Sequence, residues 1–469
     1  MQITGKGEIS TLGLVFVTIA AIASPIGLVI MGAYGLQSVF YYALIIILFF
    51  IPSALVCTEM GSAWPEEGGY YYWMKQIFGG RAANILLWLQ WLAIILSFPV
   101  ILAYVANLLA YSTYPSLAHN GLFIYAVATV ITVFAVIVAL LGIRMTFWIS
   151  AAASLLGSII PVTLIILFAL IWLLMGHEPK AVGEHYQFIP SFSGWQQFSL
   201  LGAAIFMFAG MEMAAYYMKF VNNARRKYPK ALSIAAVILI LMSVLGTLAI
   251  SVLVPSDRRS IVSGLFQAFY NFLVAVHLHW LIYIIFGMMF IGFMGVIANY
   301  LAATSQGLLV AAKDHFLPRW LTGLNRYQVP HRIIILQGII TLLTALLFLS
   351  NTVHSAYWQI EAIIGVGTSL RYTIFFLGGL IMKYQFKDLE RPLRVPGGKL
   401  GMWIVCVAGM AMCLFAGITT FVPKKDYADH FMSFEILLVV GTLLSIILPY
   451  LIGEYSRYQA YRRGELSQR

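Results

Sequence analysis

Two short interruptions within long apolar stretches carry the groups best suited to bind a polar solute. The first is Ser24-Pro25-Ile26-Gly27, and the second is residues 209–212, Ala-Gly-Met-Glu. Proline lacks a backbone N–H and glycine leaves the backbone flexible, so both sequences favour a break in a helix. A break frees N–H groups that suit a carboxylate and carbonyls that suit an ammonium. Together they predict a site for the backbone of an amino acid; two ordinary kinks are the alternative.

Ionisable side chains inside apolar stretches are costly to bury and are therefore functional candidates. Glu212 is the strongest, because its carboxylate can pair with a substrate ammonium and its protonated form can carry a proton. A structural hydrogen bond to the broken backbone is the alternative. Arg371 is expected either to neutralise Glu212 or to meet an acidic substrate. Glu361 points about 80° away from Arg371 on the same helix, and we expect it in water near the outer end.

The candidate site extends beyond the charged groups. Tyr300 is expected to line the cavity, with core packing as the alternative. The candidate substrate-binding residues are Ala23, Ser24, Pro25, Ile26, Gly27, Phe208, Ala209, Gly210, Met211, Glu212, Tyr300, Thr368, Arg371 and Tyr372. Glu212 is also the candidate for proton coupling. We expect no catalytic residues, metal site or cofactor, because the sequence shows no nucleophile constellation and no metal-ligand spacing.

Composition identifies the class of protein that positions these residues. The 469 residues are 61% hydrophobic and only 10% charged, with a mean hydropathy of +0.91. Soluble domains carry about 25% charged residues. This composition excludes a cytosolic enzyme, a nucleic-acid binder and a disordered protein. It predicts an all-α integral membrane protein.

The apolar stretches predict twelve membrane spans, numbered 1 to 12 along the chain. They cover residues 10–34, 36–60, 83–111, 121–141, 146–175, 198–218, 230–254, 280–312, 332–350, 356–383, 401–422 and 433–455. The interruptions fall in spans 1 and 6, the first spans of two five-span units. Five is odd, so the second unit must be inverted, and breaks at matching positions indicate a transporter site.

This pattern divides the chain into three parts. Residues 1–195 form the first repeat, residues 196–400 form the second, and residues 401–469 hold spans 11 and 12 with a short tail. Glu59 closes span 2, and the adjacent carboxylates Glu66 and Glu67 follow it. Paired carboxylates can serve in acid–base catalysis, but we expect this pair to pack in a cytoplasmic loop.

The distribution of basic residues predicts the orientation. The net charge is +11, and most of the 28 Lys and Arg residues fall on the side of the membrane that holds both termini. By the positive-inside rule, we expect both termini in the cytoplasm. The membrane that we expect is a bacterial inner (plasma) membrane. The basic excess therefore contacts anionic lipid, and no nucleic-acid partner is expected.

Four stretches carry a resemblance to a known family. They are FIPSALVCTEMGSAWPEEGGYYYW from residue 50, AGMEMA from residue 209, TSQGLLVAAKDHFLP from residue 304 and DLERPLRVPGGK from residue 388. The chain resembles the glutamate/γ-aminobutyrate antiporter group of the amino acid–polyamine–organocation superfamily. The resemblance implies twelve helices with five-plus-five inverted repeats. It also implies sodium-independent amino acid exchange by alternating access.

The sequence departs from that group at several positions. Glutamate-handling members have a tyrosine where this chain has Ile26, and an acidic residue near Val296. They also have two tyrosines one turn apart in span 10, where this chain has Thr368 and Tyr372. The tail is too short for the plugging domain of acid-resistance members. The resemblance therefore leaves the transported amino acid and acid gating open.

The function predicted from the sequence is a sodium-independent amino acid antiporter or permease. A sodium site would need clustered hydroxyls on span 8, whereas those positions hold Asn299, Tyr300 and Leu301. One alternative is a proton-coupled symporter of amino acids or amines. Another is a non-transporting nutrient receptor on the same fold. Large sensory tails would favour a receptor, whereas the tails here are short. The partners expected are a small amino acid and membrane lipid, and a homodimer is left open.

Overall fold

The computed structural model describes residues 9–23, 25–180, 188–190, 198, 201–255, 264–350, 353–421 and 431–466. Within these ranges the chain forms helices joined by turns and loops, and none of the described residues lies in a β-strand. The prediction of an all-α protein is confirmed.

Seventeen α-helices are described, labelled in chain order. They are α1 (Thr11–Ile22), α2 (Pro25–Gly32), α3 (Gln37–Ile45), α4 (Ile51–Ala63), α5 (Tyr70–Ser112), α6 (Gly121–Leu140), α7 (Ile143–Ser154), α8 (Ile160–Leu174), α9 (Leu201–Phe206), α10 (Ala224–Leu253), α11 (Gly264–Ala275), α12 (Leu281–Lys313), α13 (His331–Ala345), α14 (Leu347–Ser350), α15 (Val353–Gln385), α16 (Gly398–Thr420) and α17 (Phe431–Arg462). Short π-helical segments at Ile46–Phe50 and Leu155–Ile159 join α3 to α4 and α7 to α8.

Eleven helical segments of the described chain are long and apolar enough to cross a membrane. The first predicted span is absent from these eleven because its helix is interrupted. α1 has 12 residues and α2 has 8, so neither is long enough alone. About 20 helical residues are needed to cross the hydrocarbon of a bilayer. The interruption expected near Pro25 therefore divides an otherwise continuous apolar stretch.

Two details differ from the predicted spans. α5 begins at Tyr70, well before the predicted start of span 3 at residue 83, and it bends at Gly79, where φ is 81°. Its first turns contain aromatic and charged residues, which conceal a helix from a search for apolar stretches. The second detail is α11, which lies between the predicted spans 7 and 8 and is too short to have been predicted as a span.

Close helix packing surrounds the first interrupted segment, because α1 contacts both α10 and α12. α10 packs against α1, α2, α4 and α8, whereas α12 packs against α5, α6 and α7. Gly157 in the second π-helical segment faces Gly292 of α12 so closely that a Cβ on Gly292 would lie 2.2 Å from the Gly157 Cα. Small residues allow such approaches between membrane helices, where packing replaces the hydrophobic effect.

A buried ion cluster links α4 to the end of α15 and the loop that follows. Glu59 is fully buried and accepts hydrogen bonds from Lys383 Nζ at 3.2 Å and Arg391 Nη1 at 3.1 Å. It also accepts one from the Val395 backbone N–H at 2.6 Å. Glu59 was expected to close span 2, and it lies near the end of α4, where its single negative charge faces two cations from distant sequence.

Glu67 makes a second link at the same end of the bundle. It pairs with Lys219 at 2.8 Å and with Lys313, the last residue of α12, at 3.4 Å. Partial burial acts to raise the pKa of Glu67, but the hydrogen bond from Lys219 and the charges of both lysines hold it below its ordinary value. A lowered carboxyl pKa means that these pairs persist at neutral pH and are lost only as the pH falls through that lowered value.

Replacing the buried carboxylate tests the first cluster. We expect Glu59→Gln to destabilise the protein by about 3–5 kcal/mol, because Lys383 and Arg391 remain buried without a counter-charge. Glu390→Gln is the matched control, since Glu390 is 78% exposed and pairs with Arg225 at the surface. Exposed pairs contribute about 0–1 kcal/mol. Unfolding midpoints in detergent measure both effects, and equal midpoints for the two variants would contradict the role of Glu59.

Candidate functional site

The second interrupted segment is a genuine break in the helix. α9 ends at Phe206, residues 207–210 leave the helix, and a 3-10 helix runs over Met211–Phe220. Gly210 has φ of 122°, a conformation that residues with a Cβ rarely adopt. Ten residues of 3-10 helix are unusual, and such stretches often mark hinges. Gly210, which the sequence singled out, therefore lies at a position whose positive φ favours glycine.

Glu212 lies two residues after the break and is almost fully buried, with 1% of its surface exposed. Its Oε1 accepts hydrogen bonds from Arg371 Nη1 at 2.6 Å and from Gln90 Nε2 at 3.0 Å. Its Oε2 accepts one from the Tyr372 hydroxyl at 2.6 Å. Three donors therefore face the two oxygens, which is the environment that a carboxylate, an acceptor-only group, requires.

Tyr372 joins this carboxylate to the broken backbone. Its hydroxyl accepts a hydrogen bond from the Gly210 backbone N–H at 2.7 Å while it donates to Glu212. The N–H group freed by the break thereby has a side-chain partner. A buried backbone N–H left without a partner would cost about 1–3 kcal/mol.

Arg371 precedes Tyr372 on α15 and pairs with the same carboxylate. The Arg371 and Glu212 side chains are 5% and 2% exposed. The guanidinium lies 4.2 Å from the ring centre of Tyr372 and 5.3 Å from that of Tyr70, which are distances of cation–π contact. Of the two partners expected for Arg371, the structure provides the first, Glu212.

Gln90 and Tyr216 complete the arrangement, and neither was predicted from the sequence. The Tyr216 hydroxyl donates to Gln90 Oε1 at 2.5 Å, and the amide nitrogen of Gln90 donates to Glu212. The signal for Gln90 was available, because it is a lone amide in the apolar stretch LLWLQWL. Buried amides need hydrogen-bond partners. We refer to Gln90, Glu212, Tyr216, Arg371 and Tyr372 as the central polar cluster.

The break in the first span uses hydroxyl groups in a similar way. The Ala21 carbonyl accepts a hydrogen bond from the Tyr300 hydroxyl. The Ala23 carbonyl accepts one from Ser158 Oγ at 3.0 Å. Tyr300 thus contacts the broken backbone directly, and Ser158 is a site neighbour that sequence reasoning missed. Two carbonyls at the end of α1 are therefore satisfied by α12 and by the π-helical segment after α7.

The two breaks adjoin each other. A Cβ added to Gly27 would lie 1.7 Å from Met207 Cε, and one added to Gly210 would lie 3.3 Å from Ile22 Cγ1. Pro25 is the first residue of α2, as its missing N–H favours. Ser24 and the side chain of Ile26 lie outside the described residues. The described parts of both predicted segments therefore meet in one place.

The remaining candidates differ in their surroundings. Phe208 is buried, and its ring packs against Tyr42 and Phe50 at centroid distances of 5.9 and 4.8 Å. Met211 is buried, and its carbonyl accepts from the Tyr228 hydroxyl at 3.3 Å. Ala209, which follows Phe208 in the sequence, is partly buried.

Thr368 is buried on α15, one turn before Tyr372. The side chain of Glu361 lies outside the described residues, so its expected exposure stays a prediction. Among the described residues, no group of three or more His, Cys, Asp or Glu side chains could hold a metal ion.

Alanine at Gly210 tests the break. We expect Gly210→Ala to lower stability by about 1–3 kcal/mol, because the added Cβ is strained at this φ. Gly287→Ala is the control, since Gly287 lies in α12 and a Cβ there meets nothing within 4 Å. Unfolding midpoints in detergent compare the two. A Gly210→Ala protein as stable as the control would show that the left-handed backbone is not required.

Comparison with known proteins agrees with this geometry. The sequence profile of the amino acid permease family matches residues 9–444. An uncharacterized transporter of Legionella pneumophila is 32% identical and aligns over 96% of this chain and 97% of its own. A glutamate/gamma-aminobutyrate antiporter of Lactococcus lactis is 26% identical over 89% and 85% of the two chains. A probable agmatine/putrescine antiporter of the same species is 20% identical over 93% and 91%. With adjoining helix breaks and a profile match over almost its whole length, this chain belongs to the amino acid permease family.

Proposed function

We propose that this protein is a secondary transporter that exchanges amino acids across the membrane by alternating access. The observation that carries the proposal is the meeting of two helix breaks beside a buried polar cluster in the centre of an apolar bundle. Broken backbone is tolerated at membrane depth only where it is buried in protein or lines a cavity. A polar solute that binds there can be reached from either side when the surrounding helices move.

The backbone of the first break supports sodium-independent exchange. Carbonyl groups freed by a break can coordinate a cation when nothing else satisfies them. In this protein the Ala21 and Ala23 carbonyls accept hydrogen bonds from Tyr300 and Ser158. These hydroxyls provide the positive partner that a bound sodium ion would otherwise provide.

Proton-coupled symport of an amino acid or amine is the second candidate, with Glu212 as the proton carrier. The hydrogen bonds favour exchange instead. Arg371, Gln90 and Tyr372 all donate to Glu212, so a protonated carboxyl would place its own O–H among donors. Glu212 is therefore proposed as an ionised member of the substrate site.

The proposal includes an organisation into repeats. Residues 1–195 and 196–400 form two inverted five-span units, and residues 401–469 add two spans and a tail. The matching positions of the breaks in spans 1 and 6 support this division. We place all twelve spans in a bacterial inner membrane with both termini in the cytoplasm; a homodimer stays a prediction.

Cysteine labelling tests the orientation. Single cysteines at Asn223 and Gly398, just before α10 and at the start of α16, should resist impermeant thiol reagents applied to intact cells. The three native cysteines are buried, so they should contribute little background labelling. Both positions should react once the membrane is permeabilised. Ready labelling of either position from outside would overturn the proposed topology.

Reconstitution tests the function itself. Liposomes that contain the protein and an unlabelled amino acid should take up labelled amino acid faster than empty liposomes, at equal rates in sodium and choline buffers. A complete lack of uptake over a panel of amino acids would contradict the proposed transport. Uptake that requires sodium would contradict the proposed sodium independence.

A pair of tyrosine variants makes this assay specific to the site. Tyr372→Phe removes the hydroxyl that joins Gly210 to Glu212, and we expect it to slow exchange about tenfold or more, since a lost buried hydrogen bond costs about 1–3 kcal/mol. Tyr384→Phe on the same helix is the control, because Tyr384 is exposed and its hydroxyl accepts a hydrogen bond from Trp403 Nε1 at 2.9 Å, away from the central polar cluster. Equal rates for both variants would place the site elsewhere.

A further inference from the structure

The buried charges of the described chain fall into two separate groups. The buried charged side chains are Glu59, Glu212, Arg371, Lys383 and Arg391. Glu59 holds the two cations at one end of the bundle. Glu212 and Arg371 remain as the charges of the central polar cluster, and they neutralise each other through an ion pair of 2.6 Å.

The tyrosine and glutamine members of the cluster add no charge. Gln90 and Tyr216 are neutral, and Tyr372 donates its hydroxyl proton to Glu212 as a neutral phenol. The net charge of the central polar cluster is therefore zero. A bound molecule with a net charge would be left without a counter-charge in a buried site, and an uncompensated buried charge costs several kcal/mol.

We propose that the transported substrates are electrically neutral zwitterionic amino acids, and that Arg371 is the residue that determines this preference. The inference rests on the proposed function and adds the substrate class. Arg371 neutralises the carboxylate that would otherwise attract a cation. Glu212 in turn neutralises the guanidinium that would otherwise attract an anion.

The unused hydrogen-bonding capacity of the pair matches such a substrate. Arg371 Nε is buried and has no partner among the described residues, while its Nη1 binds Glu212. A carboxylate offers about four acceptor positions, and Glu212 uses three of them. The Nε–H of Arg371 remains for a substrate carboxylate, and one acceptor position of Glu212 remains for a substrate ammonium.

The relatives show why this distinction matters. Their names include a glutamate/gamma-aminobutyrate antiporter and a probable agmatine/putrescine antiporter, so substrates of different net charge occur among similar proteins. A cationic substrate would need Glu212 without its guanidinium, and an anionic substrate would need Arg371 without its carboxylate. The paired arrangement favours neither.

The wild-type protein provides the first test. Initial exchange rates in liposomes are measured at neutral pH for labelled neutral zwitterions (alanine, leucine, γ-aminobutyrate), anions (glutamate, aspartate) and cations (arginine, agmatine). We expect the best neutral compound to exceed every charged compound by about tenfold or more, equivalent to about 1.4 kcal/mol or more of selectivity. Exchange of neutral for neutral compounds should also be unchanged by an imposed membrane potential.

Charge variants provide the second test. Arg371→Met leaves the Glu212 carboxylate alone, so the rate ratio of cationic to neutral compounds should rise about tenfold or more. Glu212→Gln leaves the guanidinium alone, so the ratio of anionic to neutral compounds should rise similarly. The double variant Glu212→Gln/Arg371→Met is again neutral, so neutral compounds should again be preferred to charged ones, at a lower overall rate because both binding groups are gone. Arg371→Lys keeps the charge balance and should keep the order of preference.

The double variant and the lysine variant keep the test decisive if a single variant folds poorly. A wild-type protein that prefers glutamate, arginine or agmatine would overturn this inference and leave the proposed transport function intact. Single and double variants with the same order of preference as the wild type would overturn it as well. Absence of transport for every class of compound would instead refute the proposed function.

Discussion

The ion pair between Glu212 and Arg371 is the interaction on which the centre of this protein depends. It ties the segment after one helix break to α15, and it places Tyr372 where its hydroxyl accepts the Gly210 N–H. An open helix in an apolar interior requires partners for every group that the opening frees. Here those partners are side chains from distant helices, and the pair also sets the net charge that a bound solute meets.

Much of the fold follows from simple properties of the sequence. Continuous apolar stretches locate the membrane helices, and the proline and glycine of residues 24–27 and 209–212 locate the breaks. α11 and the start of α5 were not predicted, because one is too short to span and the other opens with aromatic and charged residues. The π-helical segments were not predicted either. They shift the backbone hydrogen bonds by one residue, and this shift does not change the pattern of apolar residues in the sequence.

The site could be predicted only in part, and for a related reason. Glu212 and Arg371 stand out as charges in apolar stretches. Glu212 was one of the two partners expected for Arg371, and the structure pairs them. The roles of Gln90 and Ser158 could not be foreseen, because they depend on which helices lie side by side. The ion cluster of Glu59 was not predicted, because the sequence does not show which cations lie beside the end of span 2.

A double-mutant cycle of Glu212 and Arg371 measures the coupling on which this account depends. Unfolding midpoints in detergent are compared for the wild type, Glu212→Gln, Arg371→Met and the double variant. Because each single change leaves one buried polar partner without its counterpart, we expect the double variant to lose much less stability than the sum of the two single losses. Single losses that simply add in the double variant would contradict the ion pair as the organising interaction of the site.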